Sequence, residues 1–275
     1  MIPKKIHYCW FGNAPKSDLI LKCIDSWKKY LPEYEICEWN ESNYDVNCCA
    51  FSKDAYCAKK WAFVSDVARL KILYEHGGIY IDTDVELFVE DPFAKYLSNN
   101  AFFFFGTNVG INTGIGFGSQ KNDALVKQLI DCYHNVTFTV DNIHVLTCPA
   151  LNTPVILNTF PTFKLDSSNY IRDGYAFINE AEYYKFARHY GSYSWRTEEQ
   201  DIALAYASKQ VKVSKFRQIL RKPAIFAFLR NHKLTRIENI YRFAVYDLFD
   251  YGIPYWFVRI KLKLLRLLKK KQQSS

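Results

Sequence analysis

The run FVSDVARLKILYEHGGIYIDTDVE, residues 63–86, restricts what this chain can fold into more than any other stretch. Val67, Leu70, Leu73 and Tyr74 recur at i, i+3, i+4 spacing, which predicts a helix over 65–76 with Ser65 as its N-cap and Asp66 in the first turn. Gly77 and Gly78 stand where a helix needs residues free to leave it. Ile79-Tyr80-Ile81 then reads as a short apolar strand with Asp82-Thr83-Asp84 at its end. Alternation along a strand puts Asp82 and Asp84 on one side. Two carboxylates held that close repel each other unless a cation lies between them or one takes up a proton. Oxygen ligands of this kind suit a hard divalent ion, Mg²⁺ or Mn²⁺, that keeps positions open for phosphate. The chemistry to expect is metal-assisted reaction of a nucleotide diphosphate, with the bridged diphosphate as leaving group.

The segments around this run predict an α/β domain. Residues 4–11 form a β-run that ends in the loop signal Gly12-Asn13-Ala14-Pro15; Ser17 caps a helix to Tyr30, and 34–39 is a second strand. Strand, helix, strand in that order implies a parallel sheet, whose ligands bind beyond the carboxyl ends of the strands. Tyr8, Trp10 and Phe11 lie at that end of the first strand and can stack on a nucleobase, or can simply be core aromatics. Residues 52–62 read as helical, and 101–105 as a strand buried on both faces. The stretch 106–118 (GTNVGINTGIGFG) is glycine-rich but fits neither common phosphate-binding pattern, so turn structure accounts for it. A helix over 122–134, an apolar stretch from 149 to 160 and a strand over 175–178 follow. Residues 188–195 read as an aromatic loop, and 198–209 as helix.

Charge separates the carboxyl-terminal end from the rest. The net charge is +8, but seven Lys/Arg and no acid fall between Arg259 and Lys271, leaving 8 − 7 = +1 for the remainder. That excludes a general nucleic-acid footprint. At the helical period Phe257, Ile260, Leu264, Leu267 and Leu268 gather on one face of 255–271 and the cations on the other, the pattern of a helix lying on an anionic membrane surface; a domain-packed helix with a solvated basic face is the alternative. No window is apolar enough to span a bilayer. The eight cysteines show no metal-binding spacing, and free thiols in a reducing cytosol are expected, so the chain is read as cytoplasmic, on the inner face of the cell membrane. The expected division is 1–222, a catalytic domain, and 223–275, a helical extension.

Taken together, IPKKIHYCWFG, SDVARLKILYEHGGIYIDTDVE and His189 ahead of Ser194-Trp195 resemble glycosyltransferase family 32, the DXD sugar-binding region transferases, over about residues 2–200. The resemblance implies a GT-A-type, Rossmann-like α/β domain with a mostly parallel central sheet. It implies a sugar-nucleotide donor, Mn²⁺ or Mg²⁺, retention of anomeric configuration, and a glycan or lipid-linked acceptor in surface polysaccharide synthesis. Position by position, Tyr8 and Trp10 border the nucleoside, with Phe11 beside them, and Asp66 and Arg69 grip the donor sugar. Asp82 touches ribose, sugar or metal, Thr83 sits on the donor side, and Asp84 ligates the metal most directly. His189 is a further ligand, and Ser194 and Trp195 close over the diphosphate. Thr147-Cys148-Pro149 departs from the Gly-Pro that the family pattern has there.

Two other readings stay open on the residues. Strand-D-x-D also fits a haloacid-dehalogenase-type phosphatase with Asp82 as nucleophile, although an α/β unit precedes the strand here and no later paired acidic motif follows. A non-catalytic, membrane-associated glycan-binding protein is the other.

Overall fold

The computed structural model describes residues 1–191. Ser194, Trp195, the predicted helices from 198 onward, the 222/223 boundary and the basic segment 255–271 lie outside the described residues.

The chain opens with β1 (Lys5–Cys9), α1 (Asp18–Tyr30) and β2 (Glu35–Trp39), followed by α2 (Ala50–Cys57) and α3 (Trp61–His76). Next come β3 (Gly78–Tyr80), β4 (Val85–Leu87), β5 (Ala101–Gly106), β6 (Gly110–Ile111) and β7 (Phe117–Ser119). Helices α4 (Ala124–His134) and α5 (Cys148–Thr159), strands β8 (Tyr170–Arg172) and β9 (Tyr175–Asn179), helix α6 (Glu180–Tyr183) and β10 (Ala187–His189) complete it. The main sheet has eight strands in the order β2-β1-β3-β7-β5-β9-β8, with β6 beside β5. Strands β2, β1, β3, β5 and β9 run one way, and β6, β7 and β8 run against them. The mostly parallel α/β sheet expected from the sequence is present, with β7 as an antiparallel wedge at its centre.

β5 shows why the core needs both faces covered. Its phenylalanines alternate as a pleated strand must. Phe103 and Phe105 join the core under α2, α3 and α4, while Phe102 and Phe104 join the core under α1 with Trp27 and Phe93. Phe103 lies stacked between Phe117 at 5.5 Å and Phe177 at 5.8 Å, so the three central strands are joined by rings.

Several sequence expectations shift. Helix α3 starts at Trp61, not at Ser65; Lys60 occupies the cap position, and the Ser65 hydroxyl donates back to the Trp61 carbonyl at 3.1 Å. The apolar residues Trp61 to Val64 are therefore its first turn. The α3 stop is as expected: Gly77 has φ +65°, and its N–H donates to the Leu73 carbonyl at 2.8 Å. Asp82-Thr83-Asp84 is a turn rather than a strand end, closed by the Val85 N–H donating to the Asp82 carbonyl at 3.1 Å. The glycine-rich stretch carries β6 and β7, and 148–159 is a helix. Residues 188 and 189, expected in a loop, belong to strand β10, paired antiparallel with β4. Among the described residues no helix is long and apolar enough to cross a membrane, and the eight cysteines are free.

Candidate active site

A cavity of about 530 Å³ opens at the carboxyl edge of β1 and β3. One wall is aromatic (Trp10, Phe11, Trp61, Phe63), its floor holds Asp66, Arg69 and Asp82, and His189, Glu180 and the loop 106–115 close the far side. The shape and the convergence of charge on its floor are those of a ligand site.

The floor is organised around Arg69. Asp66 and Arg69 lie one turn apart on α3 and form a buried pair at 3.1 Å, and the same Nη2 reaches Asp82 Oδ1 at 3.1 Å. Arg69 Nε donates to the Ser65 carbonyl at 3.0 Å, and the guanidinium lies 4.7 Å from the Tyr80 ring centroid. The Tyr80 hydroxyl donates to Asp82 Oδ1 at 3.0 Å. With Oδ1 of Asp82 engaged twice, Oδ2 is its oxygen left to face a ligand. Burial pushes the Asp66 carboxyl up to about 6 against the pull of Arg69, and burial also raises Asp82, with the nearby Asp84 adding to it. Carboxylates so destabilised gain from an additional cation.

Asp84 is buried, and His189 Nε2 lies 3.2 Å from its Oδ1. This contact depends on the small β4–β10 ladder, in which His189 pairs with Val85, and on the Tyr190 N–H donating to the Asp84 carbonyl at 3.0 Å. The turn is pinned from below by Trp27, whose Nε1–H donates to the Val85 carbonyl at 2.7 Å. Burial lowers the His189 basicity, but the hydrogen bond and charge of Asp84 outweigh it, and its pKa is raised. Asp82, Asp84 and His189 each offer a ligand atom within 4.8 Å of the others. An ion with bonds of about 2.1 Å to oxygen needs only a small closure of this set. Two carboxylates and one imidazole fit a divalent ion.

The remaining predicted residues divide. Trp10, Phe11 and Thr83 line the cavity. Tyr8 does not; its ring packs against Trp27 at 5.5 Å and its hydroxyl donates to Glu38, which makes it a core aromatic. Sequence reasoning missed Trp61, Asn112, Gly114, Cys148 and Glu180. Trp61 fills the space that a side chain at position 12 would need: a Cβ on Gly12 would sit 2.6 Å from its ring, and Gly12 has φ +91°. Cys148, at the start of α5, places its thiol 4.0 Å from Arg69 Nη1 and 3.7 Å from Asn112 Oδ1. The only signal for this group was the glycine-rich composition of 106–118 and the unexpected Cys148.

An α/β sheet with a paired-carboxylate turn at its edge, an arginine beneath it and an aromatic wall beside it places a ligand cavity beyond the carboxyl ends of the strands. Residues 17–102 match the family model described as glycosyltransferase sugar-binding region containing DXD motif. That segment runs from α1 into β5 and contains Asp66, Arg69, Asp82 and Asp84. The chain carries this DXD sugar-binding region over 17–102, which supports a transferase enzyme over the phosphatase and the non-catalytic readings. Comparison with curated proteins gives no match. Among solved structures, PaToxG glycosyltransferase aligns with a TM-score of 0.46 at 17% identity, over 58% of this chain and 70% of that one. A glycosyltransferase involved in the glycosylation of the major capsid of PBCV-1 aligns with a TM-score of 0.40 at 12% identity, over 69% and 95% of the two chains.

Proposed function

We propose that the protein is a GT-A-type, metal-dependent, retaining transferase that moves a hexose from a UDP- or GDP-sugar to a hydroxyl of a glycan or lipid-linked glycan, in surface polysaccharide synthesis. The observation that carries this reading is the meeting of Asp82, Asp84 and His189 with the Asp66–Arg69 pair in one cavity. Asp82, Asp84 and His189 hold Mn²⁺ or Mg²⁺, which when bound neutralises charge building on the diphosphate as the glycosidic bond breaks. Arg69 supplies fixed positive potential at the same edge, and the buried Asp66 accepts hydrogen bonds from sugar hydroxyls. Trp10 and Phe11 present ring faces to the base, while Ser194 and Trp195 close over the diphosphate. Retention is assigned to front-face attack within an ion pair. Residues 255–271 rest on the anionic inner face of the cell membrane, a role supported by seven cations opposite an apolar stripe.

The test is a thermal-shift panel of UDP- and GDP-sugars with and without Mn²⁺, since a ligand bound only by the folded state raises its melting temperature. A rise that requires both nucleotide sugar and metal supports the reading. Equal curves across the panel contradict it.

A further inference from the structure

The donor side of the cavity is accounted for, but one carboxylate on its far wall is not. Glu180 follows directly on β9 and lines the same cavity as Asp66, Arg69 and Asp82. Among the described residues its carboxylate makes no hydrogen bond and no ion pair, whereas Asp66 and Asp82 are each paired with Arg69 and Asp84 lies against His189.

Its position is built rather than incidental. Asn179, buried at the end of β9, accepts the Ala181 N–H at 2.9 Å and donates to the Asp166 carbonyl at 3.0 Å, which fixes the backbone at Glu180. The carboxylate lies across the end of β5 because residue 106 is glycine: a Cβ there would stand 2.7 Å from Glu180 Oε2. The sheet order then sets its place along the cavity. The aromatic wall follows β1, the Asp82–Asp84 turn follows β3, and Glu180 follows β9, beyond β7 and β5. With neighbouring strands about 4.8 Å apart, the β3 and β9 ends lie roughly 14 Å apart, room for a diphosphate-linked hexose and the hydroxyl that attacks it. A donor laid along this edge with its base on Trp10 and its diphosphate at Asp84 brings its sugar beside Glu180, so that a hydroxyl held by Glu180 reaches the anomeric carbon on the face the diphosphate leaves, as retention requires.

We infer that Glu180 is the acceptor-side carboxylate, the group that receives the hydrogen bond and then the proton of the attacking hydroxyl. This rests on the transferase reading above. In the step, the acceptor oxygen forms a bond to the anomeric carbon. The bond from that carbon to the phosphate oxygen breaks with its electron pair passing to the diphosphate, and the hydroxyl proton passes to Glu180. A carboxylate without internal partners suits the role because nothing has to be broken for it to receive that proton.

The experiment uses the full chain, with water as the acceptor. Binding of UDP and GDP in the presence of Mn²⁺ is measured by calorimetry, and nucleotide release from UDP- and GDP-hexoses is measured across pH, for wild type, Glu180→Gln and Gly106→Ala. Glu180→Gln should bind the nucleotide within about twofold of wild type and liberate it from UDP- and GDP-hexoses roughly 10²-fold more slowly or worse. Gly106→Ala, which displaces the carboxylate without removing it, should slow release in the same direction. Wild-type rates in Glu180→Gln, or nucleotide affinity falling in parallel with rate, overturn the assignment and leave the transferase reading standing. Failure of the wild type to bind either nucleotide with Mn²⁺ overturns both.

Discussion

Gly114 offers a way to disturb the DXD turn without touching it. A Cβ at this position would stand 2.4 Å from Asp82 Oδ2, 2.9 Å from Arg69 Nη1 and 3.1 Å from Asn112 Oδ1. Its φ lies outside the left-handed region, so alanine is compatible with the backbone and the conflict is with side chains alone. The loop cannot simply retreat, because the Gly114 carbonyl accepts the Asp82 N–H at 2.9 Å. An ordinary carbon–oxygen contact is about 3.5 Å, so Gly114→Ala must move the Asp82 carboxylate by roughly 1 Å. The oxygen that moves is the one left facing the ion, since Arg69 and Tyr80 hold the other. A displacement of that size costs about 10²-fold in rate, whereas the added methyl costs about 1–3 kcal/mol in stability. The assay is Mn²⁺-dependent nucleotide release from a UDP- or GDP-hexose, with urea unfolding as the control on the fold. The expected result is a folded variant with turnover reduced about a hundredfold and a weakened response to Mn²⁺. Wild-type turnover in Gly114→Ala, alongside loss of turnover in Asp82→Asn, would refute the placement of Oδ2 at the ion.

Two further perturbations test the surroundings of the site. Arg69→Leu leaves two carboxylates without their shared cation and should cost about 3–5 kcal/mol in urea unfolding, and a change below about 1 kcal/mol would contradict the buried network. His7 is held neutral by burial between the Gly77 carbonyl, 2.9 Å from Nε2, and the Trp39 indole, which donates to Nδ1 at 3.0 Å. Burial lowers its pKa from 6.5 to about 4. Because the folded state binds this proton less readily than the unfolded chain, the stabilisation is complete above pH 6.5 and fades as pH falls toward 4. The loss amounts to about 3 kcal/mol at most, and His7→Gln should flatten that part of the stability profile; an unchanged slope would show that other groups govern it.

How much of this was legible in the sequence depends on how local each cause is. β5 could be read directly, because five consecutive apolar residues can be buried only with a core on each face. The α3 stop and the Asp66–Arg69 pair could be read too, since glycine chemistry and helical spacing are set within a few residues. The α3 start was misplaced because the helix begins without a side-chain cap, and its first turn is apolar. Strand alternation brought the two DXD carboxylates together on paper, whereas a turn does so in the fold. His189 was found through the family pattern, but the β4–β10 ladder that delivers it to Asp84 pairs residues about a hundred positions apart through strands of three residues. No periodicity survives at that length. Tyr8 and Trp10 looked alike as neighbours of one strand end; only the packing of α1, which places Trp27 against Tyr8, separates a core ring from a cavity ring. Glu180 carries no local signal, since its meaning comes from the sheet order that sets β9 beyond β5.

The account's central claim is that Asp82, Asp84 and His189 together seat a divalent ion to which a nucleotide diphosphate attaches. Calorimetric titration of UDP and GDP into wild type, Asp84→Asn and His189→Ala, with Mn²⁺ and with chelator, tests it most directly. The account predicts one-to-one binding that needs Mn²⁺ in the wild type and weakens at least about tenfold in either variant. Nucleotide binding of equal strength in chelator, or unaltered in both variants, would contradict it.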